Sequence, residues 1–501
     1  MKTTTLGLFA SLGMLFAGGA VFAVTPEGGF NQKTSVAREQ TSGDADSGPI
    51  GQGADSDQKS PSRFTGGKTV AVDARVGSPT ILAASPDDTY LMLQLDGDSS
   101  GAGATPNVAM SLVIDKSGSM RGSRLENAEQ AAVAAVNRLR DGDNVSVVAF
   151  DTRVETVVPI TTVTTSNRSS IIAAIRNIQL GGDTCVSCGI EEGLNELRRA
   201  PGATQGSVMR MIVLSDGDAN NGIRDVAGFR NLAQRAQSQS VSITTIGVDL
   251  EYNEKILAAI AAGSNGRHYF VESDRDLARV FEAEAATLTD SVASNAVAEL
   301  DLAPGVELVQ VFDRSFGRSG SKITVPLGSF SKGEQKTVLV KVRVPRGEPS
   351  TALALANVRV TFRDLAANTD SEVSGKLAVL AVDDKSKLAE LDALVVDRVQ
   401  RSETAAALRD ANTLFGLGKS EEAQKRLDSQ AQVLSSARAK AKTAADEPFA
   451  AEVDKSFDRQ EAELTRASGG FAAPPAGAAP APRQQQSNVK KNAEVSNAFG
   501  L

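Results

Sequence analysis

Between Val108 and about Asp290, apolar runs of strand length alternate with segments whose apolar residues recur every three or four positions, and this alternation limits the fold more than any other feature. Val108–Ile114 is a nearly continuous apolar run; Leu125, Ala128, Ala132, Val136 and Leu139 then mark one face of a helix. Strand-like runs at Val145–Phe150 and Val154–Ile160 precede helical patterns around Ile171–Ile178 and Ile190–Leu197. The strand Val208–Leu214, a helix around Phe229–Ala236, the strand Val241–Val248, the helix Glu254–Ala262 and the short strand His268–Val271 complete the series. Strands apolar on both faces need cover on both faces, so the expected class is α/β, a doubly wound and mostly parallel sheet between helical layers.

Outside this unit the period changes to two. Leu91, Leu93 and Leu95 alternate with Tyr90, Met92 and Gln94, and Val338, Val340, Val342 and Val344 alternate with Thr337, Lys341 and Arg343. Each set is too short and one-sided to be stable alone. Residues 68–100 and 291–383 are therefore expected to pair into one antiparallel β-sandwich, with the α/β unit of residues 101–290 inserted between its two parts. From 384 to 466 strand signals vanish: Leu388, Leu391, Leu394 and Val395 open a helix, Phe415-Gly416-Leu417-Gly418 breaks it, and Glu421–Ala441 returns, which predicts a helical hairpin. Residues 467–501 are rich in Pro, Ala and Gln and read as a flexible low-complexity tail.

Residues 24–67 carry too few apolar side chains to offset chain entropy and read as a disordered leader. Before them, Lys2 and an apolar run from Leu6 to Phe22 ending Val21-Phe22-Ala23 have the form of a signal peptide, residues 1–23, cleaved after Ala23. The expected location is outside the cytoplasm, in a periplasm or at the cell surface, with no membrane span in the mature chain. The 501 residues carry a net charge of −8, lack Trp and contain 4% aromatic residues. Neither a basic stripe nor stacking platforms are available, which argues against nucleic acid as a partner.

The strand Val108–Ile114 ends in Asp115-Lys116-Ser117-Gly118-Ser119, which places a carboxylate and two hydroxyls at alternate positions of one loop. Gly181-Gly182-Asp183-Thr184 lies in a loop before a helix, and Leu214-Ser215-Asp216-Gly217-Asp218 ends the strand Val208–Leu214. Parallel strands bring their carboxyl ends to one edge, where open α/β sheets bind ligands. Asp115, Ser117, Ser119, Thr184 and Asp216 are thus expected to converge as oxygen ligands of a hard cation.

In these three motifs, over about Asn107–Asp290, the chain resembles the von Willebrand factor type A domain, and the five residues match its metal-ion-dependent adhesion site. The resemblance implies Mg²⁺, with Mn²⁺ or Ca²⁺ as alternatives, held so that an acidic side chain of a partner protein supplies the last oxygen. It implies direct ligation by Ser117 and Ser119, ligation by Thr184 once a partner is engaged, and Asp115 and Asp216 acting directly or through water. Neutral hydroxyl ligands leave the cation more of its charge, which suits capture of a carboxylate. The order of the flanking elements is similar to that of bacterial exported proteins with this domain and of the heavy chains of inter-alpha-trypsin inhibitor.

Cys185 and Cys188 are the only cysteines, directly after Thr184. A short disulfide that stiffens the metal loop is expected, with a redox switch acting on Thr184 as the alternative. His268, the only histidine, reads as a packing residue at a strand end. The sequence thus points to an exported protein-binding module rather than an enzyme. An envelope scaffold with an incidental metal stands second, and a metal-dependent hydrolase third, for want of a general base besides the ligand carboxylates.

Overall fold

Strand structure begins earlier than composition suggests. The computed structural model describes residues 62–100, 108–201, 207–272, 276–444, 447–471 and 482–501, and its first element is β1 (Arg63–Gly66). It pairs antiparallel with β2 (Val70–Val76), from Arg63↔Arg75 to Gly66↔Val72, so residues 63–66 belong to the sandwich and not to the leader. A four-residue strand with a single large apolar side chain, Phe64, has no period to detect; Phe64 packs on the sandwich core and Arg63 pairs with Asp73 at 2.8 Å. Residues 1–61, with the expected signal peptide and most of the expected leader, lie outside the described residues.

After β3 (Thr80–Leu82) and β4 (Asp87–Gly97) the chain enters the α/β unit. Its elements are β5 (Val108–Asp115), α1 (Ser123–Arg138), β6 (Asn144–Phe150), β7 (Val154–Thr162), α2 (Arg168–Ile175), α3 (Val186–Arg198) and β8 (Val208–Ser215). They continue through α4 (Val226–Ser238), β9 (Val241–Val248), α5 (Glu254–Gly263), β10 (His268–Val271) and α6 (Leu277–Thr289). The sheet order is β10-β9-β8-β5-β6-β7, parallel except at the edge strand β7. In β5, Met110, Leu112 and Ile114 face α1, α2 and α6, while Ala109 and Val113 face α3, α4 and α5, which is why the strand reads as apolar throughout.

The chain then returns through β11 (Ser291–Leu302), β12 (Glu307–Val311), β13 (Gly317–Ser319), β14 (Lys322–Ser331), β15 (Gln335–Val344), β16 (Ala352–Asp364) and β17 (Thr369–Val382). Two sheets result, β1-β2-β4-β15-β12 and β13-β14-β11-β16-β17-β3. β4 pairs with β15 from Asp87↔Val344 to Gln335↔Asp96, across the whole inserted unit. The pairing of β3 with β17 is parallel, a departure from a purely antiparallel sandwich. Leu91, Leu93, Leu95, Val338, Val340 and Val342 fill the space between the sheets. Tyr90, Met92 and Leu339 point the other way and are also buried, because helices cover that face.

Those helices exceed a hairpin. α7 (Ala393–Gly416) and α8 (Ser420–Ala444) are followed by α9 (Glu447–Phe471) and α10 (Pro482–Gly500). A flexible tail over 467–501 is therefore wrong for 467–471 and 482–500; residues 472–481 lie outside the described residues. α9 buries Val453, Phe457, Leu464 and Phe471 along one stripe. α10 hides its structural role in amides. Asn488 and Asn492 accept from Arg466 at 2.7 Å each, and Asn412 donates to the Val489 carbonyl at 2.8 Å. Toward the α/β unit, Asn497 accepts the His268 backbone N–H at 2.9 Å, and Lys490 meets Glu254 at 2.6 Å.

The α/β unit is fixed to the sandwich by a buried charge cluster. Glu284 of α6 accepts from Arg210 of β8 at 2.8 Å, Thr244 of β9 at 2.7 Å, Tyr269 of β10 at 2.8 Å and Arg267 at 3.2 Å. Arg267 also reaches Glu334, in the turn before β15, at 3.2 Å. Although burial works against its charge, Arg210 and Arg267 hold the Glu284 carboxyl down to about 2.

Phe499 of α10 is 1% exposed, between α7 and the Arg459 guanidinium. Phe499→Ala is expected to cost about 3–5 kcal/mol in urea unfolding; a change under about 0.5 kcal/mol would mean that α10 is not docked as described.

Candidate metal centre

Three loops meet at the carboxyl edge of the sheet, at β5 and β8. β5 delivers Asp115, fully buried, whose two oxygens accept from the Ser117 backbone N–H at 2.9 Å and the Ser215 hydroxyl at 2.5 Å. The chain then turns through Gly118–Met120, placing Ser117 and Ser119 with their hydroxyl oxygens 3.0 Å apart. Ser119, exposed at the mouth, donates to Asp216 at 2.6 Å. Asp216, just beyond β8, is itself fully buried.

Thr184 arrives on a second loop tied to the first. Gly118 N–H donates to the Gly182 carbonyl at 2.9 Å and Gly181 N–H to the Lys116 carbonyl at 2.7 Å. The glycine pair makes room for the Asp151 and Thr152 side chains: a Cβ on Gly181 would lie 1.4 Å from an Asp151 carboxylate oxygen and one on Gly182 2.5 Å from the Thr152 hydroxyl, so either side chain would have to move. Those same groups accept the N–H of Gly182 at 3.0 Å and of Asp183 at 2.8 Å. Asn220 closes the third side, its side chain accepting the Thr184 N–H at 2.8 Å and its N–H donating to the Thr184 carbonyl at 3.2 Å.

The five residues marked in the sequence thus share one cradle. Its floor is Gly217, where an added Cβ would stand 3.2 Å from the Thr184 hydroxyl oxygen and 3.4 Å from that of Ser119. Two carboxylates balance a divalent charge, and three hydroxyls add hard oxygen donors, so the donor set fits Mg²⁺ or Mn²⁺. Among the described residues, no group of three or more His, Cys, Asp or Glu side chains is arranged as metal ligands. A seat for a cation here would rest on the hydroxyls as much as on the acids.

Electrostatics gives the cradle a need for positive charge. Burial raises the Asp115 carboxyl to about 6, against the pull of its hydrogen bonds from Ser117 and Ser215. Burial also raises Asp216, opposed by Ser119 and Arg124. Arg124, Asp249, Ser215 and Asn220 were not read from the sequence. Arg124 donates to Asp216 at 2.8 Å and to Asp249, just beyond β9, at 2.5 Å. Ser215 and Asn220 lie in and just after the Asp216 motif and could have been suspected; Arg124 lies in the first turn of α1, with no signal beyond its charge. Asp183 and Asp218 are exposed loop acids, Asp218 accepting from Asn253 at 3.0 Å. His268 is buried against Thr245 and Tyr252, and burial lowers its pKa to about 3, so it stays neutral.

The profile of the von Willebrand factor type A domain matches residues 110–283, the stretch that contains this sheet and all three loops. These residues form a von Willebrand factor type A domain. An uncharacterized protein of Synechocystis sp. is 26% identical over 276 residues, 53% of this chain and 64% of its own length. The inter-alpha-trypsin inhibitor heavy chain H1 of Sus scrofa is 25% identical over 222 residues, 42% of this chain and 24% of its own. The chain spans less than two thirds of the length of these curated relatives. Among solved structures, a von Willebrand factor type A protein from Catenulispora acidiphila superimposes with TM-score 0.66 at 17% identity, over 81% of this chain and 90% of its own. The ArnB paralog VWA2 of Sulfolobus acidocaldarius does so with TM-score 0.56 at 18% identity, over 86% and 99%. At such identities the likeness is one of fold.

Directly after the Thr184 loop, Cys185 and Cys188 have Cα atoms 5.3 Å apart and sulfurs within bonding distance. Cys185 is buried and precedes α3; Cys188 lies one turn on. Thiol titration of the unfolded, unreduced protein should find no free thiol, and finding two would reject a disulfide.

Proposed function

We propose that the chain is an exported protein-binding module, used in adhesion or complex assembly, that captures an acidic side chain of a partner protein through a cation held by Asp115, Ser117, Ser119, Thr184 and Asp216. The observation that carries this reading is the convergence of three hydroxyls and two buried carboxylates on the Gly217 floor, with Ser119 open to solvent. A bound Mg²⁺ would supply a Lewis-acidic centre whose coordination the protein oxygens leave incomplete, so that an outside carboxylate can complete it. The chain's own residues shape that opening. Ser215 and the Ser117 N–H fix Asp115, Asn220 fixes the Thr184 backbone, and the backbone bonds Gly118-to-Gly182 and Gly181-to-Lys116 hold the glycine loop against the first.

Export is part of the proposal, supported by the Leu6–Phe22 run and the paired cysteines. Among the described residues no helix is long and apolar enough to cross a membrane. We read the module as non-enzymatic: its only histidine is buried and neutral, packed against Thr245 and Tyr252.

Asp115→Ala, with folding checked by circular dichroism, is expected to abolish partner capture from envelope extracts, as EDTA is for the native protein. Capture that survives both treatments would favour a scaffold in which the sandwich and helices make the contacts, and turnover of an ester or phosphate substrate abolished by EDTA would favour a hydrolase. Cation affinity should also depend on pH. The metal-free Asp115 holds its proton up to about pH 6, so divalent-ion affinity, read by calorimetry, should be level above that pH and weaken as pH falls through it. An affinity unchanged between pH 7 and pH 5 would remove Asp115 from the ligand set.

A further inference from the structure

Arg124 stands in the first turn of α1, where a cation is disfavoured by the positive end of the helix. Its surroundings account for the position. One terminal nitrogen lies 2.8 Å from an oxygen of the buried Asp216, 3.0 Å from the Ser119 carbonyl and 3.4 Å from Glu251; the other lies 2.5 Å from Asp249. Asp216 is therefore divided, with Ser119 donating to one oxygen and Arg124 to the other. The Arg124 side chain is 24% exposed, whereas that of Asp216 is fully buried, so the arginine lies on the solvent side of the carboxylate. Asp249 is held in turn by Arg483 of α10 at 3.6 Å.

We propose that Arg124 sets the charge of the cation seat: it is a positioning residue that neutralises Asp216 when no metal is bound, lowers affinity for the divalent ion, and leaves the loaded seat positive enough to draw in a carboxylate. This assignment rests on the metal-bridged reading above. With Asp115 and Asp216 balancing a divalent ion, the inner seat is neutral, and Arg124 supplies the remaining positive charge. Asp249 and Glu251 hold the guanidinium and temper its charge toward solvent. A guanidinium bonded to one of the seat's own carboxylates repels an incoming cation, at close range and with little screening. Its removal leaves Asp216 buried and uncompensated until a metal arrives.

The test titrates the full chain with Mn²⁺, reading free ion by electron paramagnetic resonance, and compares thermal melts in EDTA and in Mn²⁺. Neutral variants R124M and R124Q are expected to bind Mn²⁺ roughly tenfold tighter than the native protein, to melt lower in EDTA, and to gain more from Mn²⁺. R124K, which keeps the charge, is expected to bind close to the native level. Neutral variants that unfold in EDTA and refold with Mn²⁺ would support the same conclusion. Folded neutral variants that bind no tighter than the native protein, or an R124K variant that tightens as much as R124M, would overturn it while leaving the metal seat intact. Absence of Mn²⁺ binding at millimolar concentration in both native and neutral proteins would reject the seat and this role together.

Discussion

The buried carboxylate of Glu284 carries the join between the type A domain and the sandwich. Arg210, Thr244, Tyr269 and Arg267 all donate to it, so one side chain of α6 ties together β8, β9, the edge strand β10 and, through Arg267 and Glu334, the turn that leads into β15. A single charge taken from water at such a depth is costly unless every oxygen lone pair is used, and here two cations and two hydroxyls use them. The arrangement leaves little freedom for the domain to turn on its base. The carboxyl edge of the sheet, with the candidate cation seat, is therefore presented in a fixed direction.

Much of this was legible in the sequence, for a physical reason. β5, β8 and β9 are buried on both faces, so apolar residues occupy both faces of each with few polar interruptions, and α1 and α3 bury one stripe each. That Asp115, Ser117, Ser119, Thr184 and Asp216 come together was legible because each sits where a strand or loop with a strong local signature ends. What was hidden depends on partners far away in sequence. Arg124 is distinguished only by Asp216 and Asp249, which follow β8 and β9, far away in sequence. Tyr90, Met92 and Leu339 look like the outer face of a two-layer sandwich until the helices beyond them are known. α10 gave no helical signal because it binds through Asn488, Asn492 and Asn497, residues whose polarity reads as solvent exposure in a sequence.

The seat itself balances two opposing demands. Carboxylates must be buried to be held rigidly, yet burial without a cation favours their protonated forms, as the raised Asp115 and Asp216 carboxyls show. Hydroxyls escape that conflict, since they can bond to one another and to Asp216 when no cation is present. A site built from serine and threonine around two acids can remain ordered in either state. The glycine floor and the Asn220 bracket around Thr184 serve the same end, because neither depends on the ion.

The long reach between β4 and β15 has a consequence for the order in which the chain acquires structure. Asp96 and Gln335 sit side by side in the finished sheet, but everything between them must be made before they can meet. The type A domain draws its sheet from neighbouring segments and can form first, bringing the two distant strands close and lowering the entropic cost of closing that loop. The domain would then act as an internal splint during synthesis. Until β15 arrives, β4 keeps an unpaired edge, which makes the nascent sandwich the stage most exposed to aggregation.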